Sequence, residues 1–121
     1  MGRFVKMIER IEKKTEILGK EVYSFLNRTE CGIEALVTGG DRTHIGAVTI
    51  VDEKGYLWNR CFEGHRDDTI SKEWAVALHK KYSVPVVVSV GIHYDKIDPD
   101  GIRCVVEGVR KQLYEILESM T

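Results

Sequence analysis

Apolar and polar side chains alternate through the first half of the chain, as they do in strands with one buried face. Runs rich in β-branched and aromatic residues predict strands over 3–8, 21–26, 32–38, 44–51 and 56–62. The segments Gly39-Gly40-Asp41 and Asp52-Glu53-Lys54-Gly55 separate the last three runs and are typical of turns. We therefore expect these strands to pair in chain order as an antiparallel meander.

The period of the apolar positions changes after residue 67. Ile70, Trp74 and Leu78 recur at the spacing of one helix face. Asp67, Asp68 or Thr69 is placed to cap this helix. The run 84–90 that follows is almost wholly apolar, which predicts a strand inside a sheet.

The C-terminal helix carries the clearest local signals. Asp98 is a natural N-cap and Pro99 suits the first helical position. A continuous apolar stripe follows: Ile102, Val105, Val106, Val109, Leu113, Ile116 and Leu117. The pattern predicts an α+β fold over a single domain of residues 1–121, in the order β-β-β-β-β-α-β-α. An antiparallel or mixed sheet of five to six strands would be packed by two helices.

Composition and charge describe an ordinary globular protein. Its 121 residues are 43% hydrophobic and 31% charged. With 18 Lys and Arg against 19 Asp and Glu, no overall field attracts nucleic acid or anionic lipid. We expect no membrane span, since no apolar run approaches about 20 residues. Residues 1–14 mix charged and apolar side chains unlike a signal peptide, so we expect a cytoplasmic location.

The three cysteines are widely spaced, and no C-x-x-C pair occurs. A zinc ribbon or a thioredoxin-type redox site is therefore not indicated. Cys61 and Cys104 lie within apolar patterns, so we expect both to be buried.

Three of the four histidines stand beside glycine and near aspartate, where an apolar run meets a turn. These stretches are Gly39-Gly40-Asp41-Arg42-Thr43-His44-Ile45-Gly46, Gly64-His65-Arg66-Asp67-Asp68 and Gly91-Ile92-His93-Tyr94-Asp95. Glycine permits close approach of backbone or ligand, and aspartate can orient an imidazole. We predict that the three stretches form one polar site.

Each stretch also has a structural explanation. The first can be a glycine-bearing hairpin in which Asp41 caps backbone amides. Asp67 and Asp68 are explained most simply as helix caps, which leaves His65 unexplained. For the third stretch, pairing of Asp95 with a backbone amide and a functional role beside His93 remain open.

Catalytic chemistry is not evident from the sequence. A zinc site of His44, His65 and His93 is one alternative, although no H-x-H or H-E-x-x-H spacing supports it and a metal is not expected. There is no G-x-S-x-G elbow and no visibly activated cysteine. We favour a protein that is not an enzyme, with general acid–base chemistry by His93 and Asp95 as an alternative.

The histidine stretches and their order along the chain resemble a known family. Residues 38–48, 64–68, 85–88 and 91–95 look like the prenylated-flavin chaperone-like domain, typified by the D subunit of gallate decarboxylase. The resemblance covers roughly residues 30–118. It implies a fold similar to proteasome-assembly chaperones, whose chains often pair as homodimers or higher homo-oligomers.

The resemblance also implies a function. The chain would bind or deliver FMN or prenylated FMN to an aromatic-acid decarboxylase, or help that enzyme mature, and a pure assembly chaperone is an alternative. The shared site implied is Gly39, Gly40, Asp41, His44, Gly46, Gly64, His65, Gly91, His93, Tyr94 and Asp95. Arg42 and Arg66 would hold the flavin phosphate, and Tyr94 or Trp58 would contact the isoalloxazine.

Overall fold

The computed structural model describes residues 9–62 and 67–120 and contains six strands and two helices. In chain order these are β1 (Glu9–Ile17), β2 (Lys20–Arg28), β3 (Ile33–Gly40), β4 (Arg42–Val51), β5 (Leu57–Cys61), α1 (Asp68–Tyr82), β6 (Val86–His93) and α2 (Pro99–Ser119). The predicted α+β class and order of elements are confirmed.

The six strands form one mixed sheet in the order β1-β2-β3-β6-β4-β5. The first three strands form the predicted antiparallel meander, but β6 then lies between β3 and β4. It runs parallel to β3 and antiparallel to β4, so β3 and β4 pair directly only at Gly39 and Arg42. The meander prediction was wrong only for the pairing of β3 with β4, because the apolar β6 buries most surface in the middle of the sheet. The predicted antiparallel pairing of β4 with β5 is confirmed.

The first strand among the described residues begins at Glu9, a segment that the sequence did not mark as a strand. The predicted strand over 3–8 falls outside the described residues, whereas β1 is the charged segment Glu9–Ile17. β1 occupies one edge of the sheet and pairs with β2 along its whole length. Charged side chains at an exposed edge discourage further strand pairing, which explains the weak apolar signal in this strand.

Both helices pack on the same face of the sheet. Trp74 and Leu78 of α1, with Val109 and Leu113 of α2, are fully buried against it. Polar contacts tie each helix to this face as well: the hydroxyls of Ser71 and Thr49 lie 2.7 Å apart, and Ser24 donates to Gln112. The cap of α2 is confirmed, since Asp98 accepts a hydrogen bond of 2.7 Å from the amide of Gly101.

Within residues 9–62 and 67–120, no helix covers the opposite face of the sheet. Directly paired residues project to the same side of a sheet, and the rows through Phe25 and Val87 project to this side. Trp58 and Ile50 extend the apolar surface to β5, where Trp58 is 56% exposed. We call this surface, formed by the rows from Arg10 to Trp58 and from Glu12 to Arg60, the open face.

The expectation of buried cysteines was wrong. All three cysteines of the chain are exposed. Cys61 ends the edge strand β5, whose residues are all exposed, and Cys104 lies on the outer side of α2. A pattern of apolar neighbours does not distinguish a covered strand from an edge strand.

Among the described residues, no helix has the length and apolarity needed to cross a membrane.

Candidate functional site

Three strand ends meet at one corner of the sheet. The carboxyl ends of β3 and β6 run side by side, with Gly40 opposite His93, and β4 begins beside them with Arg42 opposite His93. Residues 39–46 and 91–95, which the sequence places about fifty positions apart, therefore become neighbours. We call these two segments together the histidine corner.

The histidine corner brings two of the three predicted imidazoles together. The ring centroids of His44 and His93 lie 6.2 Å apart, with the rings edge to face. Both side chains are only partly exposed, at 20% for His44 and 34% for His93. Gly64 and His65 of the predicted site, and Arg66, lie outside the described residues.

The imidazole of His93 lies between an acidic residue, Asp95, and a basic residue, Arg42. Its Nε2 lies 2.8 Å from Oδ1 of Asp95 and 3.1 Å from a guanidinium nitrogen of Arg42. The guanidinium can only donate, so Nε2 either donates to Asp95 or accepts from Arg42. Whether Nε2 carries a hydrogen therefore decides whether the imidazole forms its hydrogen bond with Asp95 or with Arg42.

Asp67 is placed to orient His44. Its carboxylate lies 3.7 Å from Nε2 of His44 and accepts a hydrogen bond of 3.4 Å from the amide of Ile92. Asp67 does occupy the N-cap position of α1, but its side chain makes no capping hydrogen bond. The prediction that the aspartates cap this helix was therefore wrong for Asp67, because the fold turns its carboxylate towards β4 and β6. Asp68 begins the helix and pairs with Lys72 at 3.5 Å.

Asp41 links the two segments of the histidine corner. Its amide donates to the carbonyl of His93 at 2.6 Å, and its carboxylate accepts from the amide of Asp95 at 2.8 Å. The carboxylate also lies 3.5 Å from Nζ of Lys20. The hydrogen bond from Asp95, followed by the charge of Lys20, lowers the pKa of Asp41 below its usual value. Asp41 is thus held as an anion that fixes the loop.

Tyr94 serves as part of the scaffold. Its hydroxyl donates to the carbonyl of Ile17 at 2.6 Å, which ties the end of β6 to the β1–β2 turn. Burial, and then the negative charge of Asp41, raise the pKa of Tyr94 above its ordinary value. The expected contact of Tyr94 with a flavin ring therefore competes with a structural role.

Two glycines allow the segments of the corner to approach closely. A β-carbon on Gly40, where φ is +86°, would lie 2.2 Å from the carbonyl oxygen of His93. One on Gly91 would lie 1.8 Å from the carbonyl oxygen of His44. Gly39 is crowded in the same way by the backbone of Glu21, at 2.3 Å. These glycines are needed for backbone contact within the protein, so close approach to a ligand is not their only explanation.

Gly46 lies at an irregularity in β4, where the register with β6 shifts between Thr43 and Ala47. Its carbonyl accepts from the amide of Phe62 at 2.8 Å, so this glycine contributes to the pairing with β5.

Beside the histidine corner lies an open groove of about 630 Å³. It is lined by Gly19, Lys20, Glu21, Tyr23, Gly39, Gly40, Asp41, Arg42 and Thr43. Sequence reasoning missed Lys20 and Tyr23, because the pairing of β2 with β3 brings them to the corner. The sequence signal that points to this part of the groove is Gly19, which follows Leu18 in a turn where both residues have positive φ. Positive φ at two successive residues is typical of a tight hairpin.

Trp58 lies far from this groove. It pairs with Ile50, which is eight residues along β4 from Arg42, or roughly 26 Å along an extended strand. The sequence-based suggestion that Trp58 contacts a ligand held at the histidine corner was therefore wrong.

Within residues 9–62 and 67–120, no three His, Cys, Asp or Glu side chains are arranged to hold a metal ion.

Comparisons with known proteins agree with this architecture. The chain matches a solved structure described as a novel chaperone complex for yeast 20S proteasome assembly, with a TM-score of 0.63 and 11% identity. The match covers 93% of this chain and 96% of that chain, and at this identity it shows a shared fold. No curated protein matches the sequence. The model of the prenylated flavin chaperone LpdD-like domain matches residues 16–121, so the chain belongs to this family.

Proposed function

We propose that the protein is an accessory protein that binds prenylated FMN at the histidine corner and delivers it to an aromatic-acid decarboxylase. The observation that carries the proposal is the convergence of His44 and His93, 6.2 Å apart, beside a groove with two cationic side chains. Membership of the prenylated flavin chaperone family supports the choice of ligand.

The groove offers suitable groups for a flavin phosphate. Arg42 and Lys20 line it, and their side chains are 71% and 54% exposed. Arginine binds phosphate through two parallel N–H groups, and lysine adds a point charge. Arg42 can exchange its long contact of 3.8 Å with Asp95 for a phosphate oxygen.

The groove also offers a surface for the ring system. Tyr23 lines the groove and stacks on Phe25, with ring centroids 6.0 Å apart and an interplanar angle of 11°. A tyrosine held in place by a neighbouring ring is a good platform for a planar aromatic ligand. A volume of about 630 Å³ lies within the usual range for cofactor-sized ligands.

The imidazoles of His44 and His93 would add hydrogen-bonding groups for the polar edge of the flavin. Each has a carboxylate beside it, Asp67 at 3.7 Å and Asp95 at 2.8 Å, that can orient its ring.

Anaerobic calorimetric titration with reduced prenylated FMN, and with FMN, tests the proposal. We expect saturable binding of prenylated FMN to the wild type. His93→Ala and Arg42→Gln should each weaken it about tenfold or more, since each removes a hydrogen bond to a polar or charged group of the ligand.

His79→Gln is the matched control. His79 lies on α1, outside the histidine corner, and its Nδ1 lies 3.0 Å from the carbonyl oxygen of Val84, a contact that glutamine can replace. This variant should bind flavin within about twofold of the wild type. Equal flavin binding by the wild type and by His93→Ala would show that the proposed site is wrong.

A pure assembly chaperone is the second candidate function, and the exposed apolar side chains of the open face, such as Trp58, Ile50 and Val87, favour it. Under this alternative, the chain would co-purify with a decarboxylase subunit whether or not it binds flavin. Co-purification that survives simultaneous replacement of His44, His65 and His93 by alanine, together with no flavin binding by the wild type, would favour this second function.

A further inference from the structure

A small apolar cavity lies on the helix side of the sheet, behind the histidine corner. Its volume is about 190 Å³. Six aliphatic side chains from α1, β6, the loop after β6 and α2 line it: Ile70, Ile92, Ile97, Ile102, Val105 and Val106. Tyr94 also lines the cavity, and its hydroxyl bond to the carbonyl of Ile17 holds it in place.

This cavity is distinct from the groove proposed for flavin. Ile92 follows the fully buried Val88 and Val90 in the alternation of β6, so its side chain projects towards the helices. His93 is the next residue and projects to the opposite side of the sheet. The residues that line the cavity and those that line the groove have no member in common.

The cavity has one charged residue in its wall. Among the described residues that line it, Asp67 is the only one with a charged side chain, and that side chain is 11% exposed. The carboxylate accepts from the amide of Ile92 at 3.4 Å and lies 3.7 Å from Nε2 of His44. An ionised carboxylate has about four acceptor sites, so it can accept a further hydrogen bond from a donor in the cavity.

The size of the cavity favours a ligand with a single ring. An apolar cavity of about 150 Å³ is enough to hold benzene, so this one accommodates a six-membered ring with one small substituent. Cofactor-sized ligands occupy roughly 300–1,000 Å³, which excludes a flavin ring system. Tyr94 adds an aromatic group to the wall, against which a second aromatic ring packs favourably.

We infer that this cavity binds an uncharged phenol, with the ring among the aliphatic side chains and the hydroxyl donating to the carboxylate of Asp67. A hydrogen bond to an ionised carboxylate is about twice as strong as one between neutral groups. A benzoate would bring a second negative charge to Asp67, so the site distinguishes a phenol from an aromatic acid by charge. An aromatic ammonium ion would lose its hydration among the aliphatic side chains, a cost that one carboxylate does not offset.

Titration of the flavin-free protein with phenol, followed by amide NMR spectra, tests the inference. We expect saturable shifts at the amides of Ile92 and Val105. The dissociation constant should be about 1 mM or lower, as is usual for a well-bound ligand of this small size. Benzoate at neutral pH should bind at least about tenfold more weakly, because its charge is repelled.

Two variants locate the phenol within the protein. Asp67→Asn keeps the size of the side chain and removes its charge. It should weaken phenol binding about fivefold and reduce the preference for phenol over benzoate about tenfold, since an amide can donate to a carboxylate. Val106→Phe fills the cavity and should abolish phenol binding. Val76→Phe is the matched control, because Val76 is 37% exposed on α1 and does not line the cavity.

Three outcomes would overturn the inference. The first is no saturable binding of phenol by the wild type up to about 10 mM. The second is an unchanged preference for phenol over benzoate in Asp67→Asn, which would mean that the carboxylate takes no part. The third is undiminished binding by Val106→Phe, once circular dichroism has shown that this variant is folded; if it does not fold, Asp67→Asn decides. Flavin binding is measured separately, so either proposal can fail while the other holds.

Discussion

Gly40 shows at the scale of one residue how the histidine corner is held together. Its φ of +86° is unfavourable for a side chain, and the carbonyl oxygen of His93 would lie 2.2 Å from a β-carbon. Gly19 has a similar φ of +79°, yet nothing lies within 4 Å of its β-carbon position. Substitution of the two glycines therefore distinguishes two costs: backbone strain occurs at both positions, whereas a steric clash occurs only at Gly40.

We expect Gly40→Ala to lower the free energy of unfolding by about 2–4 kcal/mol, as backbone strain and overpacking add. Gly19→Ala should cost only about 1–2 kcal/mol, from backbone strain alone. Urea unfolding of both variants measures the difference. Equal losses would mean that the backbone at Gly40 relaxes freely, and that the close packing of β3 against β6 is not a constraint.

At the scale of elements, one buried side chain joins the C-terminal helix to the first hairpin. Gln112 of α2 is fully buried and accepts from the hydroxyl of Ser24 on β2. Its amide nitrogen donates to Thr15 at 2.9 Å and to the carbonyl of Val22 at 3.0 Å. A buried polar group with all its partners in place orients the helix on the sheet, because a different orientation would leave these groups unpaired.

We expect Gln112→Ala to destabilise the protein by about 2–4 kcal/mol, from lost packing and from buried partners left without hydrogen bonds. Lys111→Ala is the control at the adjacent exposed position of α2 and should change stability by less than about 0.5 kcal/mol. Urea unfolding of both variants provides the comparison. A loss below about 1 kcal/mol for Gln112→Ala would show that water replaces the amide.

For the whole molecule, a continuous core predicts that the chain unfolds as a unit. Buried residues of β2, β3, β4 and β6 form one hydrophobic cluster with those of both helices, and Ile17 extends this core to the end of β1. Trp74 lies inside this core, whereas Trp58 is exposed on β5. The single-domain prediction therefore implies that secondary structure and the environment of Trp74 are lost together.

We expect one unfolding transition, with equal midpoints by far-ultraviolet circular dichroism and by the fluorescence of a Trp58→Phe variant. The substitution leaves Trp74 as the sole tryptophan, so the fluorescence reports the core. If the protein is a dimer, the midpoint should rise with concentration, because association stabilises the folded state. Two separated transitions would contradict the single-domain prediction.

The sequence by itself determined the elements whose signals are local. The Asp98-Pro99 start and the apolar stripe of α2 depend only on neighbouring residues, as do the change of period at α1 and the apolar run of β6. The glycine-framed histidines also marked the segments that form the corner. Residue type and spacing are sufficient here, because helix capping and the periodicity of buried faces act over a few positions.

Only the tertiary structure decided how these elements are arranged. The pairing of β2 with β3 placed Lys20 and Tyr23 beside the corner. The insertion of β6 between β3 and β4 brought His44 to His93 and the carboxylate of Asp67 to His44. It also left β5 at an edge, where Cys61 and Trp58 are exposed. Strand order depends on the burial of the whole sheet, and no short stretch of sequence carries that information.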